Sequence, residues 1–494
     1  MLQRKASVIG SGIAGLAAAI RLAIRGFDVN VFERNEYPGG KLSLIEKDGY
    51  KFDAGPSLFT QPQYLEQLFH EAGESIDGFF EYQKVDLSCR YFFENGKIIN
   101  AWTEASRYEE ELVNILGEKP GALKNYLQQS ASLYESVGSI FLNQSLHRLN
   151  TWLQPKVLKA LGKVKPAHLF DSLHSFNQSK FTSAEAIQIF NRYATYNGSD
   201  PYQTPGMMSM IPHLELNQGT FYPKGGMISI TNALYNLACK KGVQFHFNSQ
   251  VQEIVTENRR IKGVIANDSL HSSEIVVSNA DVYFTYQYLL KDNRKAEQLL
   301  KQERSCSGQI FYWGMNRSFP ELHLHNIFFS SDYKKEFQLL FKKGKLYDDP
   351  TVYVNITSKM EDGLAPSGKE NWFLLINAPA GTGENAESDR LKLRDKVIRK
   401  LSRMLQTDIA SSIETEDFLN PERIEKRTGS YLGALYGTSS NTRSAAFLRH
   451  PNFHSSYKGL YFCGGSVHPG GGIPLCFKSA EIAVNEIEKE INKH

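Results

Sequence analysis

The sequence is short of cysteine, tryptophan, net charge and long apolar runs, and these shortages narrow what the chain can be. Five cysteines occur in 494 residues, Cys89, Cys239, Cys306, Cys463 and Cys476. None forms a C-x-x-C pair, which argues against a zinc ribbon or a dithiol redox site. An odd, scattered set fits reduced thiols in a cytoplasmic protein. The net charge is +3, from 56 basic and 53 acidic side chains, so the chain carries no nucleic-acid footprint. No run of about 18 apolar residues is present, which leaves no candidate spanning helix. The first apolar stretch runs straight into a glycine motif, so no secretory leader is expected.

What is plentiful is aromatic side chain, 30 Phe and 24 Tyr. That fits several well-packed cores, or a cavity lined for a long apolar ligand. The length calls for two or three domains.

The opening reads strand, turn, helix, strand. "ASVIG" is a short β-branched run, and Gly10, Gly12 and Gly15 follow in G-x-G-x-x-G spacing. "AAAIRLAIR" continues as a helix and "FDVNVFER" as a second strand ending at Glu33 and Arg34. In this context the glycines have separate tasks: a tight turn, close approach to a pyrophosphate, and helix-on-strand packing. Ser11, Ile13 and Ala14 sit at the helix start, whose free N–H groups attract phosphate. Glu33 is placed to accept from an adenosine ribose. The alternative, a plain glycine turn with a surface glutamate, leaves the full pattern unexplained.

Three further glycine-rich stretches follow. "PGGKLSLIEKDGYKFDAGPS" places Gly39, Gly40 and Lys41 just after the second strand, then Gly55, Pro56 and Ser57. Such a stretch suits a cofactor longer than a pyrophosphate, with Lys41 neutralising phosphate. "YPKGGM" precedes a helix and a set of strands beginning near Val251, and "SNAD" closes them. "GLYFCGGSVHPGGGIP" reads as a strand, a loop with Gly464, Gly465 and Ser466, and a helix start at Gly471, Gly472, Ile473 and Pro474.

These stretches resemble the signatures of two-dinucleotide-binding-domain flavoproteins. Taken in order, "VIGSGIAGLAAAIRLA", "VFERNEYPGGKL", "GYKFDAGPSLFT", "YPKGGM" and "HPGGGIP" resemble the carotenoid desaturase family of the bacterial phytoene-desaturase type. The resemblance covers essentially the whole chain. It implies an α/β fold with a Rossmann-type FAD-binding domain assembled from residues 1–70, 221–285 and 455–494. Residues 71–220 and 286–454 would form an α+β substrate domain with a helical membrane-facing part. It also implies FAD as cofactor, no metal, and loss of hydride and proton from adjacent carbons of a polyene. Quinone or oxygen would take the electrons. Family members usually carry Arg at the position of Lys41 and small residues at that of Lys478, so those two positions depart from the pattern. Substrates in the family include C40 phytoene, C30 analogues and hydroxylated intermediates desaturated at the 3,4 bond; the "PGGKL…GYKFDAGPSLFT" style is closer to the last.

Candidates for proton transfer are His213, Glu215 and His468, though an isolated Glu is commonly a solvated surface group and an isolated His a structural one. Residues 136–170 lack acidic side chains and carry Arg148, Lys156, Lys159, Lys163 and Lys165. Leu142, Leu146, Leu149 and Leu153, then Val157, Leu161 and Val164, recur at intervals of three or four. With Phe141 and Trp152 this predicts amphipathic helices on the inner face of the cell membrane, at the mouth of a substrate tunnel; the other reading is a helix pair capping the substrate domain. Three other functions share much of this pattern: a carotenoid isomerase, a flavin amine oxidase and a flavin-free prenyl-lipid carrier.

Overall fold

A computed structural model describes residues 4–492 except 163, 165, 382–385, 443, 444 and 447. Lys5–Ile9, Asp28–Phe32, Gln244–His246, Ile275–Ser278 and Leu460–Phe462 form one five-stranded parallel sheet. Lys5–Ile9 lies at its centre, between Ile275–Ser278 and Asp28–Phe32. Parallel strands are covered on both faces, and this sheet is. Helices Ile13–Ile24, Ile228–Lys240 and Ile473–Ile491 pack together on one face through alanine and leucine side chains such as Ala17, Leu234 and Ala483. The three-stranded sheet Val251–Glu257, Arg260–Ala266, Ser269–Ser272 contributes Ile254 and Val264 to the core on the other.

A second, seven-stranded sheet runs in the order Ile413–Leu419, Ser307–Met315, Glu370–Ala378, Val352–Ile356, His325–Phe328, Leu87–Phe92, Ile98–Trp102. Its pairs are antiparallel except His325–Phe328 with Leu87–Phe92. Period-two alternation gives each strand two faces. On Ser307–Met315, Phe311, Trp313 and Met315 pack into the core completed by Leu393, Val397 and Leu401 of helix Ala386–Met404. Ile310 and Tyr312 face the opposite way, with Phe52 and Phe373. Helices between Ala105 and Asn191 build a third core around Tyr126, Phe181 and Phe190.

One carboxylate joins two of the glycine-rich stretches. Helix Ile228–Lys240 has no side-chain cap of its own. Asp53, at the end of the hairpin Leu44–Lys47, Tyr50–Asp53, accepts from the Met227 and Ile228 N–H groups at 3.0 and 3.3 Å. Burial pushes its carboxyl up to about 6. Asp53→Ala leaves those donors unpaired and is expected to lower unfolding free energy by about 1–2 kcal/mol. Asp53→Asn retains one acceptor and loses less. Equal midpoints for the two variants in urea unfolding would refute this capping role.

The region 136–170 departs from its sequence pattern. After the π-helical turn Tyr134–Gly138, its described residues form the short helices Ser139–Asn143, Leu149–Trp152, Pro155–Leu161 and Pro166–Phe170 rather than long amphipathic ones. Leu142, Leu146 and Val157 are buried, while Leu149 and Leu153 are 83% and 75% exposed. The chain turns at Gln144–Arg148, so leucines in one helical register point to opposite sides. Arg148 pairs with Glu486 at 2.7 Å and lies over the Phe453 ring, so it is not a free surface charge. Lys163 and Lys165 lie outside the described residues, as do the side chains of Lys156 and Leu161.

Candidate active site

Both sheets end on one cavity of about 720 Å³. At one end it is walled by the loop after the first strand. Gly10 has φ +89°, which permits the turn into the helix. A side chain at Gly15 would overlap the Gly10 carbonyl oxygen, so only glycine lets the helix sit this close to the strand. Gly12 is the N-cap of Ile13–Ile24, and a side chain there would lie 2.8 Å from Asn279 Nδ2.

The reason for the glycine-rich stretch after the second strand is partly internal. Gly39 N–H donates to the Ser11 carbonyl at 2.9 Å. A side chain on Gly40 would meet the Gly12 Cα, and one on Gly55 the Lys41 carbonyl. Main chain thus packs on main chain, and the resulting surface is bare of side chains on the cavity side.

Of the residues predicted to hold a dinucleotide, all but Ser11, Gly15 and Gly464 line this cavity. Ser11 acts one layer back. Its N–H and Oγ both donate to Glu33 at 2.8 Å, and Asn35 donates to the other Glu33 oxygen at 3.0 Å. Arg34 lines the cavity while its guanidinium donates to the Lys426 carbonyl at 2.6 Å. Lys41 donates to the Leu435 carbonyl at 2.6 Å. Burial lowers its ammonium to about 8, with Asp281 opposing. Lys478 does not line the cavity; it pairs with Glu481 at 2.9 Å over the Tyr64 ring.

Beyond the glycine loops the cavity extends to the seven-stranded sheet. Its walls there are mainly apolar and aromatic, with Ile310, Ile327, Phe373, Leu375, Leu435 and Tyr436. One polar cluster interrupts them. Arg192 Nη2 donates to both Glu215 oxygens at 2.9 and 3.1 Å, and Ser88 Oγ donates to Glu215 at 2.9 Å. Tyr196 OH donates to Glu215 as well. Burial pushes the Glu215 carboxyl up, but Arg192 and these hydroxyls outweigh it and hold it below the ordinary carboxylate range. Tyrosines 91, 193 and 196 surround the Arg192 guanidinium, with ring centroids 5.4, 4.5 and 5.6 Å away.

The three proton-transfer candidates separate here. Glu215 lines the cavity; His213 and His468 are not among its lining residues. His213 bonds Asn217 and Gln218. His468 is fully buried, bonds the Gln144 carbonyl at 2.9 Å and is lowered to about 4 by burial. Sequence reasoning passed over Arg192, Ser88, Tyr196, His325 and Tyr353; Arg192 and Tyr196 share the short helix Arg192–Asn197, and the others stand on three different strands. It also gave Asn279 no role, although its side chain fills the gap between the two terminal glycine motifs, against Gly12 and Gly464.

A side-chain-free cradle at a helix N-terminus, with Glu33 at its edge and an apolar chamber beyond, fits an extended dinucleotide and an apolar second ligand. The fold and site define a flavin-dependent oxidoreductase. The family model for flavin containing amine oxidoreductases matches residues 13–488. A 1-hydroxycarotenoid 3,4-desaturase from Flavobacterium sp. (strain P99-3) is 49% identical over 98% of this chain and 99% of that protein. A 4,4'-diapolycopene oxygenase from Methylomonas sp is 33% identical over 98% of each chain. An oxidoreductase from Methanosarcina mazei has the same fold, with a TM-score of 0.65 at 16% identity over 98% of this chain and all of that one.

The chain belongs to the flavin containing amine oxidoreductase family and, within it, to the carotenoid desaturases. It is an FAD-dependent oxidoreductase acting on CH–CH groups.

Proposed function

We propose that this enzyme desaturates the 3,4 bond of a hydroxylated carotenoid. The observation that carries the reading is a continuous cavity in which the dinucleotide cradle opens into an apolar chamber with a polar cluster. The identity to a 1-hydroxycarotenoid 3,4-desaturase supports the choice of substrate.

Bound FAD supplies the acceptor for a hydride from one carbon. The neighbouring carbon loses a proton, and the electron pair of that C–H bond becomes the new π bond. The chain's part is to hold the two carbons in place and exclude water. Glu215 is the ionised carboxylate of the chamber and the group assigned to receive the proton. Its pairing with Arg192 keeps the cluster neutral as a whole, and the faces of Tyr196, Tyr353 and Phe373 are suited to transient positive charge on the polyene. Quinone or oxygen would reoxidise the flavin.

The test is product analysis after hydroxylated polyene in liposomes is given to flavin-loaded enzyme. The expected product is two hydrogens lighter, with red-shifted absorption. A product of unchanged mass indicates an isomerase, and one carrying added oxygen an oxygenase; either sinks the reading.

The polyene is drawn from a bilayer, because an apolar chain does not cross water readily. Among the described residues no helix is long and apolar enough to cross a membrane, so attachment would be peripheral, at the inner face of the cell membrane. Leu149, Leu153, Leu158 and Phe170 are exposed, and Trp152 partly so. None of the described residues between 136 and 170 lines the cavity, so these side chains would serve as an anchor rather than the tunnel rim. Leu149→Ser, Leu153→Ser and Leu158→Ser together remove roughly 1–2 kcal/mol each of insertion and should cut sedimentation with anionic liposomes about tenfold or more. Flavin content should hold. Undiminished sedimentation would place the anchor elsewhere.

A further inference from the structure

Two buried donors at the polar cluster have no hydrogen-bond partner, Arg192 Nε and His325 Nε2. The guanidinium is already committed to Glu215 through Nη2, which leaves the histidine as the donor with no other task. His325 stands on the strand His325–Phe328, lines the cavity and is 2% exposed. Its Nδ1 lies 2.7 Å from the Tyr353 hydroxyl and 3.1 Å from Asn355 Nδ2. The same Asn355 nitrogen donates to the Leu324 carbonyl at 3.1 Å, which fixes the orientation of that amide. Nδ1 therefore accepts, and the proton of the neutral ring is on Nε2. Nε2 has no hydrogen-bond partner in the protein. Burial lowers the ring to about 4, so it is neutral at physiological pH.

A buried N–H left unpaired is costly, and a purely hydrocarbon ligand leaves it so. A hydroxyl oxygen satisfies it. The position also fits. In a 1-hydroxylated terminus the hydroxyl-bearing carbon is two bonds from C3, so its anchor belongs at the reacting end of the chamber. Ser57 Oγ donates to the Tyr353 hydroxyl at 2.9 Å, which ties the histidine to the Gly55–Ser57 turn of the dinucleotide cradle. The His325 and Tyr353 rings are stacked, with planes 20° apart, which holds the imidazole in place.

We propose that His325 Nε2–H holds the hydroxyl of the polyene terminus and thereby sets the 3,4 bond in register. This rests on the hydroxylated-substrate reading above. His325 is then a specificity-determining residue of the site.

The experiment compares wild type, His325→Leu and His325→Gln on two polyenes, one 1-hydroxylated and one with hydrogen in its place. Its readout is the ratio of the two kcat/KM values, with flavin content and Tm measured alongside. A site built to bond a hydroxyl loses much of its discrimination when its donor is removed. His325→Leu should lower the ratio about 10- to 100-fold, and His325→Gln, which keeps an N–H, should recover part of it. His325→Met gives the same readout with a flexible side chain if the leucine variant does not fold. A clear wild-type preference that survives in His325→Leu, or equal falls on both polyenes, overturns the role of His325 alone. A wild-type ratio near one overturns the hydroxylated-substrate reading and this inference with it.

Discussion

Arg192→Leu should lower unfolding free energy by about 3–5 kcal/mol, the usual cost of stranding one member of a buried ion pair. The pair is nearly inaccessible on both sides, with side chains 10% and 2% exposed. Without the guanidinium, Glu215 keeps only its hydroxyl donors, Ser88 and Tyr196. Its carboxyl then shifts upward, because burial is the largest influence on it and Arg192 the main one opposing. Arg192→Leu with Glu215→Leu removes both charges and should regain most of the lost stability, so the two substitutions are strongly non-additive. Additive losses in guanidinium unfolding would mean that the pair is not coupled. Glu215→Gln keeps an acceptor for the hydroxyls but cannot take a proton at neutral pH; because it also leaves the Arg192 charge without its counter-ion, its turnover is read per folded, flavin-loaded molecule. Turnover should fall by about 100-fold or more, within the range of positioned acid–base groups, with flavin retained. Near-normal turnover removes Glu215 from proton transfer.

Gly12→Val should strip the enzyme of flavin while leaving most of its fold. Gly12 has φ −65° and ψ 171°, a conformation open to any residue, so the backbone itself is unstrained by the change. The Cβ of the new side chain meets the Asn279 amide, the end of a side chain, and no backbone atom within 4 Å. What it fills is the bare surface at the N-terminus of Ile13–Ile24, where a pyrophosphate approaches the main chain. Flavin occupancy after purification should drop about tenfold or more, with the far-ultraviolet circular dichroism preserved. Gly15→Ala is the contrasting case, since its methyl overlaps a backbone carbonyl that cannot move. That variant should lose the fold first. Stoichiometric flavin in Gly12→Val would mean that the pyrophosphate lies elsewhere.

The amino-acid sequence by itself determined the fold class, the cofactor and the chemical family. Gly10, Gly12, Gly15 and Glu33 are legible because a dinucleotide site at a strand–helix turn is local: its spacing is set by a few consecutive residues. The same holds for "HPGGGIP", a helix start read directly from its glycines and proline. Local pattern misled where the chain bends. The leucines of residues 136–170 share a helical register, yet the turn at Gln144–Arg148 sends Leu146 inward and Leu149 outward.

The tertiary structure alone decided which polar groups meet at the chamber. Ser88, His325 and Tyr353 come from three strands of the seven-stranded sheet, and Arg192 and Glu215 from the helical region. Their spacing in sequence carries no signal, because sheet register and helix packing set their distances. Tertiary structure also separated Glu215 from His213, two residues apart in the chain, one facing the cavity and the other bonded to Asn217 and Gln218. A lone histidine or carboxylate acquires its chemistry from what long-range packing places beside it, and burial then fixes its charge.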